Sequence, residues 1–256
     1  MTPRDAIDPA STSLTFAKGL AVLKCFDAEA VELSVPEIAT RTGLDRAVVR
    51  RLVLTLVQLG YVQARGRSYA LAPRILVLAG GFLQGRRFGM AIQPVMEGFA
   101  AQLGEPLSMA MRDGDEAIYV AHAGGEALAP RLGFTVGSRV PLLSTAIGRA
   151  LLAQEDPPLR TRLVNEAPLR AWTDHTETDR ARLAALLGAL PAGAIVTARG
   201  EFEPGIAASA LGFQGTGGEI AAVGHSSDAA RYEDPAFRAR LDMTLQRAAA
   251  ALRGLL

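Results

Sequence analysis

Hydrophobic residues recur at steps of three and four along the first third of the chain, which is the spacing of an amphipathic helix. The spacing predicts three helices, over residues 14–26, 36–42 and 46–59. Ser34 and Glu37 have the separation of a capping box at the start of the second helix. Gly43 and Gly60 each follow the last periodic residue of a helix, where a left-handed residue is favoured.

Two short stretches of alternating polar and apolar residues follow, and they predict a β-hairpin over residues 61–71. The tip of this hairpin is Arg-Gly-Arg at residues 65–67, which makes the turn basic. Pro73 favours the start of a further helix over residues 74–84. The glycines and arginines of residues 85–89 indicate a boundary between two domains.

The pattern beyond residue 90 mixes strands and helices. We expect strands over residues 107–112, 117–123, 132–135, 195–197, 206–212 and 219–224. We expect helices over residues 91–103, 144–152, 179–190 and 235–256, and a loop over residues 137–141. Helices that flank an antiparallel sheet are typical of an α+β domain.

The composition narrows the class of protein. The 256 residues are 49% hydrophobic and 21% charged, as in ordinary globular proteins. Cys25 is the only cysteine, which excludes an intramolecular disulfide and fits a reducing compartment. The first residues contain no apolar stretch of signal-peptide length, and no run of about 18 apolar residues occurs anywhere. We therefore expect a cytoplasmic protein without a membrane segment.

Charge is distributed unevenly, although the formal net charge is only +1. Residues 1–90 carry 12 Lys and Arg against 7 Asp and Glu, whereas the remaining residues carry 15 against 19. A basic first third and a mildly acidic remainder indicate that a polyanion would bind the N-terminal part of the chain.

The predicted elements of the first third, taken in order, are the parts of a winged helix-turn-helix. In this fold the third helix presents side chains to the major groove of DNA. Arg46, Arg50 and Arg51 lie on the side of that helix away from its apolar stripe, so we expect them to contact bases or phosphates. Arg65 and Arg67 at the wing tip would reach the minor groove or the flanking backbone. The alternative is a solvated helix face, but the full set of elements favours DNA binding.

Motifs in both halves of the chain resemble those of IclR-family bacterial regulators. In the first half the matching segments are residues 20–23, 34–39, 42–44, 50–56 and 59–61. In the second half they are GSRVP at residues 137–141, STAIGRALLA at residues 144–153 and EFEPG at residues 201–205. The resemblance covers the chain from about residue 14 to its C-terminus, and its motifs occur in the same order as in the family.

The resemblance implies a C-terminal GAF-like effector domain and a homodimer, or a dimer of dimers, bound to a palindromic double-stranded DNA operator. It places Ala146 and Ile147 where backbone N–H groups hold a small carboxylate. N–H groups at the start of a helix bind an anion without a charged side chain. Ser226 matches a hydroxyl position that lines the same pocket, and Gly224 stands at a second such position without the hydroxyl.

Two departures from the family pattern bear on the effector. Ala198 stands where some members have an acidic residue, and Ala208 stands where they have a cysteine. The pocket is therefore expected to be more apolar, which favours a larger organic acid such as an aromatic one. The apolar side chains available for its wall are those of Leu107, Met109, Met111, Tyr119 and Leu143.

The resulting prediction is a two-domain α+β protein. Residues 1–13 form a disordered arm, residues 14–72 a mainly α-helical winged helix-turn-helix, residues 73–89 a linker helix and boundary, and residues 90–256 a GAF-like α/β/α sensor domain with an antiparallel sheet. The predicted function is ligand-responsive regulation of a catabolic operon.

Other classes of function were weighed against this one. His122, His175 and His225 have no metal-ligand spacing, so no metal and no cofactor is expected. The run from His225 through Ser226 to Asp228 suggests a triad, but adjacent strand residues point to opposite faces. An enzymatic or a protein-interaction role for the C-terminal domain remains the alternative.

Overall fold

The computed structural model describes residues 11–27, 29–85, 88–124, 135–191 and 193–256. The chain divides into two compact units between Phe82 and Leu83, inside the segment predicted as a linker. Residues 1–10 of the predicted arm lie outside the described residues. So does the strand predicted over residues 132–135, apart from Thr135, which has no regular structure.

The described residues of the first unit form four helices, the last of which runs past Phe82, and a small antiparallel sheet. Its elements are α1 (Leu14–Leu23), β1 (Glu32–Ser34), α2 (Val35–Thr42), α3 (Arg46–Gln58), β2 (Val62–Arg65), β3 (Ser68–Leu71) and α4 (Ile75–Gly85), with sheet order β1-β3-β2. Asp45 begins α3 by accepting a hydrogen bond from the Ala47 N–H at 2.7 Å. Glu37 accepts the Ser34 N–H at 2.7 Å, which is one half of the predicted capping box; the Ser34 hydroxyl bonds to the same carboxylate.

Two details of this unit differ from the sequence prediction. The first helix ends at Leu23 rather than at residue 26, and Cys25 and Phe26 beyond its end are buried in the core. The residues before α2 form the strand β1, which pairs with β3, whereas the sequence predicts no strand ahead of the hairpin. A three-residue strand is too short to show a period in sequence.

The second unit is an antiparallel sheet between two layers of helices. Its strands are β4 (Leu107–Asp113), β5 (Glu116–Ala123), β6 (Arg139–Pro141), β7 (Ile195–Arg199), β8 (Ile206–Gln214) and β9 (Ile220–Asp228). Its helices are α5 (Gln93–Leu103), α6 (Ala146–Leu152), α7 (Pro157–Glu166), α8 (Arg180–Ala189) and α9 (Pro235–Arg253), with a π-helical turn at Phe88–Ile92 and a 3₁₀ helix at Ala229–Glu233. The strand order is β6-β5-β4-β9-β8-β7.

The sheet separates two apolar cores. Residues of α5 and α9 pack on one face, and residues of α6, α7 and α8 pack on the other. This arrangement is the predicted α/β/α domain with an antiparallel sheet, and with the winged unit it confirms the two-domain α+β fold class. One prediction inside the domain is wrong, because part of the expected loop over residues 137–141 pairs with β5 as β6. The sequence pattern also predicts no element at the position of α7.

Among the described residues, no single helix combines the length and the apolarity needed to cross a membrane. The helix α4 and the helical stretch Phe88–Leu103 meet those two criteria only when their lengths are taken together.

Candidate functional site

The outer face of α3 is lined with arginines. Arg46, Arg50 and Arg51 are all exposed, whereas Val49 and Val53 on the inner face are fully buried. The apolar stripe fixes the rotation of the helix, so the arginines must face solvent. This is the side of the reading helix that a winged helix-turn-helix presents to DNA.

The hairpin β2–β3 carries the other two predicted arginines. Arg65 and Arg67 are exposed and flank Gly66, whose φ of 61° provides the left-handed turn at the wing tip. The ion pairs found in the part of the chain that the structure describes involve other residues, such as Arg41 with Asp27, and none of the five predicted arginines. Their guanidinium groups are therefore available to phosphates or bases.

A cavity of about 590 Å³, a volume that includes its open mouth, lies on the α6 side of the large sheet. Its floor is made of small residues on adjacent strands. Ala198 pairs with Ala208, which pairs with Ser226, and in the next row Ala210 pairs with Gly224, which pairs with Ser108. Because these side chains are so short, space remains above the sheet where larger residues would fill the core.

The start of α6 forms one edge of the cavity. Thr145 caps this helix: its hydroxyl accepts the Gly148 N–H at 3.1 Å and donates to the Pro141 carbonyl at 2.7 Å. The Ala146 and Ile147 N–H groups have no acceptor within the described residues, and both residues line the cavity. The fully buried Ser144, just before them, also lines the cavity, and its hydroxyl has no hydrogen-bond partner among the described residues.

Gly148 allows α6 to begin at this place. A Cβ atom on Gly148 would lie 2.4 Å from the Leu142 Cα and carbonyl oxygen, so a larger residue would push the helix away from the loop that precedes it. Tyr119 also lines the cavity, and burial raises the pKa of its phenol to about 12. Tyr119 therefore presents a neutral phenol near neutral pH.

A buried ion pair supports the wall formed by residues 201–203. The Arg149 side chain is 2% exposed and binds both oxygens of Glu201, at 2.7 and 2.5 Å. Glu201 lines the cavity, as do Phe202 and Glu203. The Glu201 carboxylate also accepts the Glu177 N–H at 3.1 Å.

The segment of residues 172–177 is tied to this wall. The Thr176 hydroxyl donates to the Glu201 carbonyl at 2.6 Å, and the Thr173 hydroxyl donates to the Gly200 carbonyl at 2.5 Å. The Trp172 ring packs on Phe202 with 4.8 Å between the ring centroids. The only tryptophan of the chain therefore lies directly against a residue of the cavity wall.

Four of the six predicted effector residues line the cavity, namely Ala146, Ile147, Tyr119 and Ser226. Met109 does not: it faces the α5–α9 core together with Leu107, because alternate residues of β4 point to opposite faces of the sheet. Leu143 is fully buried in the core around α6, behind the cavity lining. Ala198 and Ala208, identified from their departure from the family pattern, both lie in the floor.

Sequence reasoning missed Ser108, Arg149 and Glu201 as parts of the site. Glu201 and Arg149 are 52 positions apart, and only the fold brings them together. The sequence pointed to Glu201 and Arg149 only indirectly, because each lies inside a motif that resembles the family.

Two of the histidines have hydrogen-bond partners in the structure. The His122 Nδ1 is 2.9 Å from the Ser108 hydroxyl, and the His225 Nδ1 donates to the Pro106 carbonyl at 2.9 Å. The His225 ring packs on Tyr232 and Phe237 behind the sheet, so it does not reach Ser226. Burial lowers the pKa of both histidines. Among the described residues, no three His, Cys, Asp or Glu side chains cluster as metal ligands would.

Comparisons with known proteins match both units. The IclR helix-turn-helix domain matches residues 15–66, and the bacterial transcriptional regulator IclR C-terminal domain matches residues 83–253. The Pca regulon regulatory protein of Pseudomonas putida is 31% identical over 209 residues, which are 82% of this chain and 72% of that protein. The p-hydroxybenzoate hydroxylase transcriptional activator of Acinetobacter baylyi is 29% identical over 168 residues, which are 64% and 62% of the two chains.

A solved structure has the same fold. It is an IclR homologue from Microbacterium hydrocarbonoxydans in complex with 4-hydroxybenzoate, with a TM-score of 0.75 and 23% identity, covering 93% of this chain and 99% of that one.

A helix-turn-helix unit followed by an α/β/α unit with a small-molecule cavity defines a transcriptional regulator with an effector-binding domain. The chain belongs to the IclR family of bacterial transcriptional regulators. Its relatives are regulators and not enzymes, which confirms the prediction that the chain is not an enzyme.

Proposed function

We propose that this regulator binds a palindromic operator as a homodimer or a dimer of dimers, and that a small aromatic carboxylic acid controls its affinity for that operator. The regulated genes would form a catabolic operon. The observation that carries this proposal is the cavity, because its edge offers two N–H groups without acceptors and its floor is made of short side chains. In this account residues 14–72 bind DNA, residues 73–89 link the domains and residues 90–256 sense the effector.

The lining of the cavity fits an aromatic acid. A carboxylate would accept hydrogen bonds from the Ala146 and Ile147 N–H groups, which the dipole of α6 makes favourable for an anion. The ring would lie over Ala198 and Ala208, which leave room where a longer side chain would not. The Ser226 hydroxyl in the cavity lining offers a partner for a polar ring substituent, and the neutral phenol of Tyr119 lines the cavity too.

Relatives support the same class of effector. One structural relative is a complex with 4-hydroxybenzoate, and one sequence relative activates transcription of p-hydroxybenzoate hydroxylase. Hydroxybenzoates are therefore the first acids to test on this chain.

The DNA site is proposed on the exposed arginines. Arg46, Arg50 and Arg51 would enter the major groove, and Arg65 and Arg67 would contact the minor groove or the adjacent phosphates. Operator DNA lies in the bacterial cytoplasm, so we place the regulator there.

The exposed surface of α4 supports a homo-oligomer. This helix has high mean hydropathy and no buried residue, and Leu76 and Val77 are 70% and 71% exposed. A helix whose exposed surface is this apolar is typically one that packs on another chain. A palindromic operator requires two reading helices, so a second copy of this chain is the occupant that we propose.

The experiment combines operator capture with ligand titration. Genomic fragments bound by the purified protein should share a palindrome, and the genes beside them should encode catabolic enzymes. In thermal unfolding of the same protein, 4-hydroxybenzoate or a related aromatic acid should raise the melting temperature. Capture of no preferred sequence would contradict operator binding, and the absence of stabilisation by any small organic acid would contradict the effector site.

A further inference from the structure

Arg149 is a charged side chain inside the domain core. Its side chain is 2% exposed, and it does not itself line the cavity. Its Nε donates to the Leu143 carbonyl at 2.7 Å, and its two terminal nitrogens bind the two Glu201 oxygens. A buried guanidinium without a carboxylate partner is strongly destabilising, so each charge depends on the other.

Glu201 stands between Arg149 and the cavity. Its side chain is 14% exposed, and it forms part of the cavity wall. Arg149 lies three residues after Ala146 on α6, so the ion pair is within about one helical turn of the N–H groups at the cavity edge. A ligand carboxylate at that edge would therefore lie close to the carboxylate of Glu201.

Two carboxylates in one partly buried site repel each other unless a cation balances them. Arg149 supplies that balance from behind the wall. Glu203 also lines the cavity and has no ion pair within the described residues, so its carboxylate adds to the repulsion that the Arg149 charge offsets.

We propose that Arg149 and Glu201 act together as a specificity-determining pair: the guanidinium cancels the charge of the cavity-wall carboxylate and so allows the cavity to accept an anionic ligand. This inference rests on the proposed function, because it assumes that the ligand is a carboxylic acid. It assigns Arg149 to charge selection, although Arg149 does not touch the ligand.

The test compares an acid with its neutral amide. Calorimetric titration of the full chain with 4-hydroxybenzoate and 4-hydroxybenzamide gives the ratio of their affinities in the wild type and in variants. Arg149→Gln leaves the Glu201 charge unbalanced, so the ratio of acid to amide affinity should fall by about tenfold or more. Glu201→Gln leaves the Arg149 charge unbalanced, so the ratio should rise by a similar factor.

The double variant Arg149→Gln with Glu201→Gln should return the ratio to within about threefold of the wild-type ratio, because both charges are gone. Glu203→Gln also removes a negative charge from the cavity wall, so it should raise the ratio as well. If Arg149→Gln does not fold, Glu201→Gln and the double variant still decide the question, since charge selection predicts a raised ratio for the first and the wild-type ratio for the second.

The two proposals fail in different ways. If the wild type binds acid and amide but the variants weaken both by the same factor, the pair is merely structural and this inference is wrong. A fall in the ratio for Glu203→Gln would contradict it too. If the wild type binds neither 4-hydroxybenzoate nor any other small organic acid, the proposed effector site is wrong, and the charge-selection role is wrong with it.

Discussion

Gly212 on β8 lies directly against Ala150 of α6: a Cβ atom on Gly212 would be 2.0 Å from the Ala150 carbonyl oxygen. No side chain can occupy that space without moving the helix backbone. The absence of a side chain at Gly212 therefore sets how closely α6 approaches the sheet. The same approach places the first residues of α6 at the edge of the cavity.

Gly212→Ala should therefore damage both stability and ligand binding. Overpacking of a buried site costs about 1–3 kcal/mol, and here the contact is with backbone that has little freedom to move. Urea unfolding should show a loss of that size, and acid binding should weaken in calorimetric titration. Gly98→Ala on α5 is the control: nothing lies within 4 Å of its added Cβ, so stability should be unchanged or rise by about 0.5–1 kcal/mol. Equal effects of the two substitutions would contradict this account of α6.

Arg50→Ala should weaken operator binding through the loss of a contact to DNA. The expected cost is about 1–3 kcal/mol, and if the contact is to a phosphate the salt dependence of log K should lose about one unit of slope. Fluorescence anisotropy with the captured operator at several salt concentrations measures both. The control is Arg162→Ala, an exposed arginine of α7 in the other unit. If Arg50→Ala binds the operator as the wild type does, α3 is not the reading helix.

Val77→Glu should shift the oligomer toward monomer, because a charge would replace an exposed apolar side chain on the proposed dimer surface of α4. Light scattering during size-exclusion chromatography measures the mass. Met243→Glu is the matched control, since Met243 is a 55% exposed hydrophobic residue on α9. A dimer that persists in Val77→Glu at the lowest measurable concentration would place the interface elsewhere.

Buried His225 should make the fold sensitive to mild acid. Burial lowers the pKa of His225 in the folded state, and the hydrogen bond to Pro106 opposes this shift only in part. Below the unfolded pKa of about 6.5 the unfolded chain therefore binds more protons, so the free energy of unfolding falls as pH falls.

His225→Gln should lose less stability than the wild type between pH 7 and pH 5 in urea unfolding. Exposed His175, replaced in the same way, controls for the removal of a histidine. Parallel pH profiles for the wild type and His225→Gln would show that His225 does not contribute.

Much of this molecule can be predicted from its sequence where local patterns are long. The winged unit follows from helical spacing, from the cap at Asp45 and from the turn at Gly66. Shorter elements such as β1 cannot be predicted in this way, because a strand of three residues depends on its pairing with β3 and has no pattern of its own.

The cavity could be predicted in part. The positions of Ala198 and Ala208 in the floor follow the family pattern, but Met109 was assigned to the wrong face of the sheet. Alternation along β4 shows that Leu107 and Met109 share a face, yet it does not say which face carries the cavity. The ion pair of Arg149 and Glu201 could not be predicted from the sequence either. A buried arginine on a helix has the same local sequence pattern as an exposed one.

The most direct test of the whole account is the affinity of the wild-type protein for its captured operator with and without 4-hydroxybenzoate, measured by fluorescence anisotropy at constant salt. If an aromatic acid in the cavity controls DNA binding, a saturating concentration should change the operator dissociation constant by about fivefold or more. The account would be contradicted if calorimetry showed that the acid binds while the operator dissociation constant stayed the same.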